Sequence, residues 1–206
     1  MPPPVPPPRT KRDDSVAGTA AADSQSSPEG QARFRRACEV HLDFVWRFAR
    51  VCGVEPAALE YVVHKVFAVL RGRLVSLEDP SELRVSVAGT TRHIVRAYLR
   101  QLSSPLETLA RAEARSLDEL DRIQGLETKT DGDLVDIILS TMSEAEREIF
   151  VLSELEGFSS IETAEALHVT EATLRVRLSD ARKIFNDASA RLRAQRFWVR
   201  RATNEP

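Results

Sequence analysis

The segment 142–185 constrains the fold of this chain more than any other, because it carries the start signals of three successive helices. Ser143 with Glu146, and Ser159 with Glu162, have the spacing of a capping box, in which two side chains bind the backbone N–H groups at a helix start. Apolar residues follow each box at helical spacing. The segment is therefore predicted to fold as short helices in close succession.

A four-residue turn, residues 167–170, separates the second of these helices from the third. Thr170 is a suitable N-cap for the third helix. The small Ala164 and the apolar Val169 and Leu174 stand where two crossed helices pack together. The predicted order is a short helix, a tight turn and a longer helix with outward arginines. This order is typical of the helix-turn-helix and favours DNA binding. A small helical hairpin without that function is the alternative, because short helix pairs are common.

The third helix is predicted to be long and basic. Leu174, Leu178, Ala181 and Phe185 recur at spacings of three and four, which gives the helix an apolar face. The segment 170–201 contains nine Lys or Arg residues and three Asp or Glu residues, an excess of six positive charges. A solvated face would explain any single arginine. An excess of this size beside a helix-turn-helix is better explained by contacts with phosphate.

The whole-chain composition is that of an ordinary globular protein, with 42% hydrophobic residues and a formal net charge of −2 over 206 residues. The sequence has no run of 18 apolar residues and no apolar signal core, which predicts a cytoplasmic protein without a membrane segment. Cys38 and Cys52 lie on one helical stripe, so core packing is favoured over a metal site. No catalytic, nucleotide-binding or metal motif occurs, so neither enzymatic activity nor a cofactor is expected.

The N-terminal part is predicted to contain a tail and three helices. Residues 1–30 have six prolines among the first eight positions and are expected to be disordered. Helical periodicity follows over 31–52 and 56–71, and a third helix is predicted for 80–101. The third is the weakest, because the β-branched run 85–91 with its central glycine would also suit a strand. Its regularly spaced arginines favour an amphipathic helix.

The prediction for the whole chain is an all-α protein of two small helical domains joined by a linker. The domains are residues 31–102 and 131–197, the linker is 103–130, and a short tail covers 198–206. The helix-turn-helix belongs to the second domain.

Four short segments of the second domain carry a family pattern, namely residues 144–150, 156–159, 164–167 and 173–182. They resemble the minus-35-reading domain of the bacterial extracytoplasmic-function sigma factors, small subunits that direct RNA polymerase to promoters. The resemblance implies that the helix from 170 to 186 enters the major groove of promoter DNA. The DNA-contacting residues that it implies are Thr170, Thr173, Arg175, Arg177, Arg182 and Lys183.

The first domain resembles the same family less closely, through Val66-Phe67, Leu83-Arg84 and Tyr98-Leu99-Arg100. The first of these marks a helix that docks on the polymerase clamp, and the others mark a helix that reads and melts the minus-10 element. The polymerase-binding residues implied by the resemblance are Tyr61, His64, Lys65 and Phe67. The minus-10 residues implied by it are Arg92, Arg96 and Arg100.

The chain departs from the family pattern at several of these positions. Tyr61 and His64 stand where acidic and glutamine residues are usual, and Ser86 stands where the melting helix usually has tryptophan. Asp180 replaces an arginine, and we expect it to pair with a basic neighbour one turn away. His168 replaces the turn glycine, which is acceptable because histidine enters the left-handed region more readily than most residues.

The predicted function is that of a sigma factor which binds core RNA polymerase and reads minus-35 and minus-10 promoter DNA. An anti-sigma factor is expected as a further partner. One alternative is a sigma-derived or LuxR-type helix-turn-helix regulator that does not programme polymerase. Another is an interaction module that binds an anti-sigma factor without contacting DNA.

Overall fold

The computed structural model describes residues 27–74, 77, 79–102 and 129–203, and every regular element within these ranges is helical. The predicted all-α fold is thus confirmed. Seven α-helices occur in the described ranges: α1 Pro28–Val51, α2 Pro56–Arg73, α3 Pro80–Leu102, α4 Asp131–Ser140, α5 Glu144–Phe150, α6 Ser160–Leu167 and α7 Glu171–Thr203. The predicted N-terminal tail up to residue 26 and the linker residues 103–128 lie outside the described ranges.

Helices α1 and α7 extend furthest beyond their predicted ends. Helix α1 begins at Pro28, three residues before the predicted domain start, because Pro28 suits the first helical position and Ser27 caps it. The Ser27 hydroxyl accepts a hydrogen bond of 3.0 Å from the Gly30 N–H. Helix α7 continues to Thr203, through residues that were assigned to the tail after position 197.

Both predicted capping boxes are present. The Ser143 hydroxyl caps α5 and the Ser159 hydroxyl caps α6, and each accepts the N–H of a glutamate three residues later. A third box, Thr130 with Asp133, starts α4 and was not predicted. The hydrogen bonds that Thr130 donates lower the pKa of Asp133. This cap therefore stabilises α4 at neutral pH, and its contribution is lost as the pH falls through the folded-state pKa of Asp133.

The β-branched segment 85–91 is helical, as the sequence favoured. Val87 and Thr91 are completely buried, and the Thr91 hydroxyl donates a 2.7 Å hydrogen bond to the Val87 carbonyl, so its polar atom is satisfied inside the helix. Glycine in a helix interior costs about 1 kcal/mol relative to alanine. At Gly89 a Cβ atom would lie 3.3 Å from the Ala166 carbonyl oxygen, so glycine is what allows α3 and α6 to cross this closely.

Buried side chains from the N-terminal helices α1–α3 and from the C-terminal helices α4–α7 join one hydrophobic core. The Phe44 ring of α1 lies 5.7 Å from Phe48 and 5.8 Å from Phe158, which precedes α6. Cys52 belongs to this core and Cys38 packs against it, in agreement with the predicted apolar stripe. The two halves therefore pack directly on each other, an arrangement that we call the closed arrangement.

Candidate nucleic-acid interface

The turn between α6 and α7 has the geometry that a helix-turn-helix requires. His168 ends α6 in the left-handed conformation, with φ 51° and ψ 47°. The Val169 N–H then donates a 2.9 Å hydrogen bond to the Ala164 carbonyl. The Thr170 hydroxyl accepts the Thr173 N–H at 3.2 Å and so caps α7. Histidine thus fills the position where the family pattern has glycine, as the sequence analysis allowed.

The packing of α7 on the rest of the second half fixes which of its faces is outward. Leu174, Ala181, Ala188 and Leu192 are at most 1% exposed, and they follow one stripe of the helix. The Phe185 ring on the same side stacks on Phe150 of α5 with 4.6 Å between the ring centroids. The opposite side of α7 is therefore exposed and can contact a binding partner.

A π-helical turn, Val151–Leu155, follows α5 and leads into the loop before α6. Gly157 in that loop has φ +65°, a conformation that glycine adopts without strain. The Phe158 N–H donates back to the Leu152 carbonyl at 2.9 Å. Together with the 2.9 Å bond from the Glu156 N–H to the Val151 carbonyl, this hydrogen bond fixes the turn of the chain between α5 and α6.

Arg175 and Arg177 lie on different sides of α7. Successive residues of an α-helix are separated by about 100° around the axis, so these two side chains point about 200° apart. Both are exposed, but Arg175 is closer to the outward face, because it lies about 100° around the helix from the buried Leu174 whereas Arg177 lies only about 60° from it on the other side. The two arginines, predicted together as base or phosphate contacts, therefore cannot approach the same groove edge in the same way.

The remaining predicted DNA-contacting residues of α7 differ in whether their side chains bind another residue of the chain. Arg182 is engaged within the chain, donating hydrogen bonds of 2.7 and 3.0 Å to Glu154 of the π-helical turn. Lys183 and Asp180 are exposed. The expected ion pair of Asp180 with Arg177 or Lys183 does not form among the described residues.

The predicted minus-10 residues of α3 meet acidic residues of α5 in the closed arrangement. The Arg92 guanidinium donates to Glu148 at 2.9 Å, and Arg96 donates to the same carboxylate at 2.7 and 2.9 Å. Arg96 also lies 2.9 Å from Glu144. The Glu148 side chain is only 3% exposed, so both arginines are turned toward the protein interior. Arg100, the third predicted residue, is exposed.

More ion pairs join the two halves, and in each the N-terminal half supplies the cation. Arg47 of α1 forms a two-point pair with Glu156, with both N–O distances 3.1 Å. Arg84 of α3 lies 3.9 Å above the centroid of the Phe158 ring and donates to the Glu156 carbonyl. Arg50 pairs with Asp136 of α4. The halves are thus complementary in charge at their contact.

The predicted polymerase-binding face of α2 is partly exposed. Tyr61 is 54% exposed, the Lys65 ammonium lies 5.0 Å from its ring centroid, and Tyr98 of α3 lies beside it at 6.4 Å. His64 is also exposed. Phe67 differs, because it is only 7% exposed and belongs to the core. In the closed arrangement Phe67 completes the buried stripe of α2, and its contact with polymerase stays a prediction.

Arg147 and Glu148 were not singled out by the sequence analysis, although both are almost completely buried. Arg147 donates to carbonyl groups at the end of α4 and to the Val51 carbonyl at the end of α1. The only signal in the sequence is the run of alternating charges at the start of α5. Such a run is normally exposed, so burial of these two residues could not be read from it.

The fold and the charged outer surface of α7 define a helix-turn-helix protein. Residues 134–184 match the sequence profile of a family described as Sigma-70, region 4. The predicted resemblance to the sigma-70 family is thereby confirmed for residues 134–184, which run from α4 into the first half of α7.

Comparison with curated proteins finds no match to this chain. Among solved structures, it is similar to the sigma factor RpoE in complex with the anti-sigma factor NepR from Bartonella quintana, with a TM-score of 0.58 and 18% identity. That similarity covers 76% of this chain and 96% of RpoE. The chain is also similar to CnrH in complex with the cytosolic domain of CnrY, with a TM-score of 0.48 and 22% identity. The second similarity covers 85% of this chain and 96% of CnrH.

None of the described helices combines the length and the apolar character needed to cross a membrane.

Proposed function

We propose that the chain is a cytoplasmic sigma factor of the extracytoplasmic-function type, which binds core RNA polymerase and directs it to specific promoters. The observation that supports this most strongly is the region 4 match over a helix-turn-helix whose recognition helix has a free outer face. In this proposal α7 reads the minus-35 element and α3 reads the minus-10 element. The polymerase makes the chemical bonds, and the sigma factor contributes only binding.

In the closed arrangement, two of the residues proposed to contact the minus-10 element already bind a carboxylate of the same chain. Glu148 accepts hydrogen bonds from Arg92 and Arg96 and holds their guanidinium groups at the contact between the halves, where their side chains are only 20% and 28% exposed. A phosphate group would have to replace the carboxylate, and both groups are anions that guanidinium binds strongly. We therefore propose that the two halves separate when the chain binds polymerase and promoter DNA. An anti-sigma factor would act by favouring the inactive state.

Transcription with purified components tests the proposal directly. The protein is added to core polymerase with genomic DNA, and transcript starts are mapped. The expected result is a set of new starts that share a minus-35 and a minus-10 sequence. A complex with polymerase but no new starts would contradict promoter direction. Duplex binding without any polymerase complex would instead favour the helix-turn-helix regulator.

The exposed face of α2 is expected to contribute to polymerase binding. Tyr61→Ala should weaken the complex with core polymerase about ten-fold, because a half-exposed tyrosine is typical of residues that dominate interfaces. Competition against a standard sigma factor for core enzyme measures the effect. Asp187→Ala, an exposed change on α7, serves as the control and should bind as the unaltered chain does. Equal affinities for both variants would remove Tyr61 from the polymerase contact.

Two arginines of α7 are expected to affect DNA binding in different ways. Arg175→Ala should cost about 1–3 kcal/mol at the preferred minus-35 sequence and flatten discrimination at one base, because an arginine there can pair with guanine. Arg182→Ala should weaken binding to all sequences alike. It should also lower the slope of the logarithm of the binding constant against the logarithm of the salt concentration by about one. Titrations at several salt concentrations, on the preferred site and on a one-base variant, measure both effects.

The Arg182–Glu154 pair supplies a matched variant for this experiment. Glu154→Gln releases Arg182, so it should strengthen binding to every sequence without changing preference. If Arg175→Ala lost affinity evenly on both sites, Arg175 would be a phosphate contact and the assignment of the base-reading side of α7 would be wrong.

A further inference from the structure

Val176 stands out on the outer face of α7, because it is a large apolar side chain that is 63% exposed. It follows the buried Leu174 by two residues, which places it about 200° around the helix and so opposite the packed stripe. Its position is thus near the centre of the face that is free to meet DNA.

Core packing does not account for valine at this position, because the side chain is 63% exposed. A β-branched residue loses side-chain freedom in a helix and is less favourable there than alanine. Burial offsets that loss in the core, but Val176 is mostly exposed. The neighbouring outward residues are the smaller Ala172 and Ser179, so the valine methyl groups project beyond them. The side chain is therefore placed to meet an apolar group on a partner.

The major groove offers one prominent apolar group, the C5-methyl of thymine. On the basis of the proposed DNA-reading role of α7, we infer that Val176 contacts a thymine methyl group and makes this chain selective for thymine at one position. Arg175 is adjacent, and the rise per helical residue of about 1.5 Å is shorter than the base spacing of about 3.4 Å. The thymine is therefore expected within one or two base pairs of the base that Arg175 contacts.

Deoxyuridine provides the test, because it differs from thymidine only by lacking that methyl group. Duplexes bound by the full-length chain are first selected from a random pool, without polymerase. Each thymine of the selected site is then replaced in turn by deoxyuridine. Removal of one buried methyl should weaken binding about four-fold at a single position.

A double-mutant cycle identifies the side chain responsible. On the thymine duplex, Val176→Ala should lose about as much affinity as the unaltered chain loses when that thymine is replaced by deoxyuridine. The variant should also no longer distinguish thymine from uracil at that position. Val40→Ala is the matched control, since Val40 of α1 is 64% exposed and the same atoms are removed. Val40→Ala should still lose about four-fold in affinity when the thymine is replaced by deoxyuridine.

Two results would overturn the inference. One is a selected site at which no thymine-to-uracil change affects binding, and the other is a methyl effect that Val176→Ala retains in full. Both leave the proposed function standing, because the chain still selects a DNA sequence. Failure to select any duplex would instead remove the DNA-reading role of α7 and the inference with it.

Discussion

Replacement of Arg147 by methionine is expected to lower the free energy of unfolding by about 3 kcal/mol. The Arg147 side chain is almost completely buried, at 4% exposure, and its guanidinium satisfies several carbonyl groups at once. It donates to Leu139 at 2.7 Å, to Met142 at 2.9 Å and to Val51 at 3.2 Å. Methionine keeps much of the volume but donates nothing, so the Met142 and Val51 carbonyls would lose this donor, and the Leu139 carbonyl would keep only its backbone bonds, such as the 3.3 Å bond from the Met142 N–H.

The expected loss is large because the affected groups are helix-end carbonyls. The last four carbonyls of an α-helix have no partner within the helix, and Leu139 lies in the last turn of α4. Each buried acceptor left unsatisfied costs about 1–3 kcal/mol, although entering water would recover part of this. A domain has only about 5–15 kcal/mol of stability, so a single substitution should visibly shift the unfolding transition.

Urea unfolding followed by helical circular dichroism measures the change. Arg175→Met is the matched control, because it removes the same groups from an exposed position and should alter stability by less than about 0.5 kcal/mol. Arg147→Lys should fall between the two, since lysine retains the charge but not the planar fork of donors. Equal stability of Arg147→Met and the unaltered chain would show that water replaces the guanidinium without loss.

The sequence was sufficient for features that depend on local patterns. The two capping boxes and the apolar stripe of α7 follow from spacings of a few residues, and the structure has each of them. The left-handed conformation of His168 followed from the family resemblance, which has glycine at that turn, and the structure has it too. The helix-turn-helix is the sum of such signals. A resemblance to the sigma-70 family could therefore be recognised before any tertiary contact was known.

The contact between the halves could not be predicted in the same way. Glu148 meets Arg92 and Arg96, which lie 56 and 52 residues earlier in the chain, and no local pattern connects them. The arginines were predicted as DNA contacts because their charge and spacing suit phosphate. A buried carboxylate presents similar chemistry, so charge alone does not distinguish an intramolecular partner from a nucleic acid.

The burial of Phe67 also depends on contacts that the sequence does not show. The residue was assigned both to the apolar stripe of α2 and to a polymerase contact, and a side chain at 7% exposure serves the first role in the closed arrangement. A resemblance transfers a position but does not say which face of the helix is covered by another element of the same chain.

Replacement of Glu148 by glutamine is expected to open the closed arrangement. The substitution preserves size but removes the charge that holds Arg92 and Arg96, whose side chains are 20% and 28% exposed. Loss of a buried pair can cost about 3–5 kcal/mol, and partial exposure of the arginines reduces this to about 2 kcal/mol. The balance between closed and open forms should then shift about thirty-fold toward the open form.

Two measurements report this shift. Small-angle X-ray scattering should give a larger radius of gyration, and binding of single-stranded minus-10 DNA should strengthen because the arginines are released. Glu144→Gln is the matched control, since Glu144 is also in α5 and contacts Arg96 but its side chain is 51% exposed. An exposed pair contributes about 0–1 kcal/mol, so this variant should remain compact. A compact Glu148→Gln variant with unchanged DNA affinity would mean that this pair does not hold the halves together.

Stronger DNA binding by Glu148→Gln could also arise from the loss of one negative charge near the DNA, without any opening. Gly89→Val separates the two explanations, because it alters spacing and leaves every charge in place. A side chain at Gly89 would press on the Ala166 carbonyl, which a Cβ atom alone would approach to 3.3 Å, and so would force α3 and α6 apart. If opening exposes the arginines, Gly89→Val should also expand the molecule and strengthen minus-10 binding. If only charge matters, Gly89→Val should bind minus-10 DNA no better than the unaltered chain does.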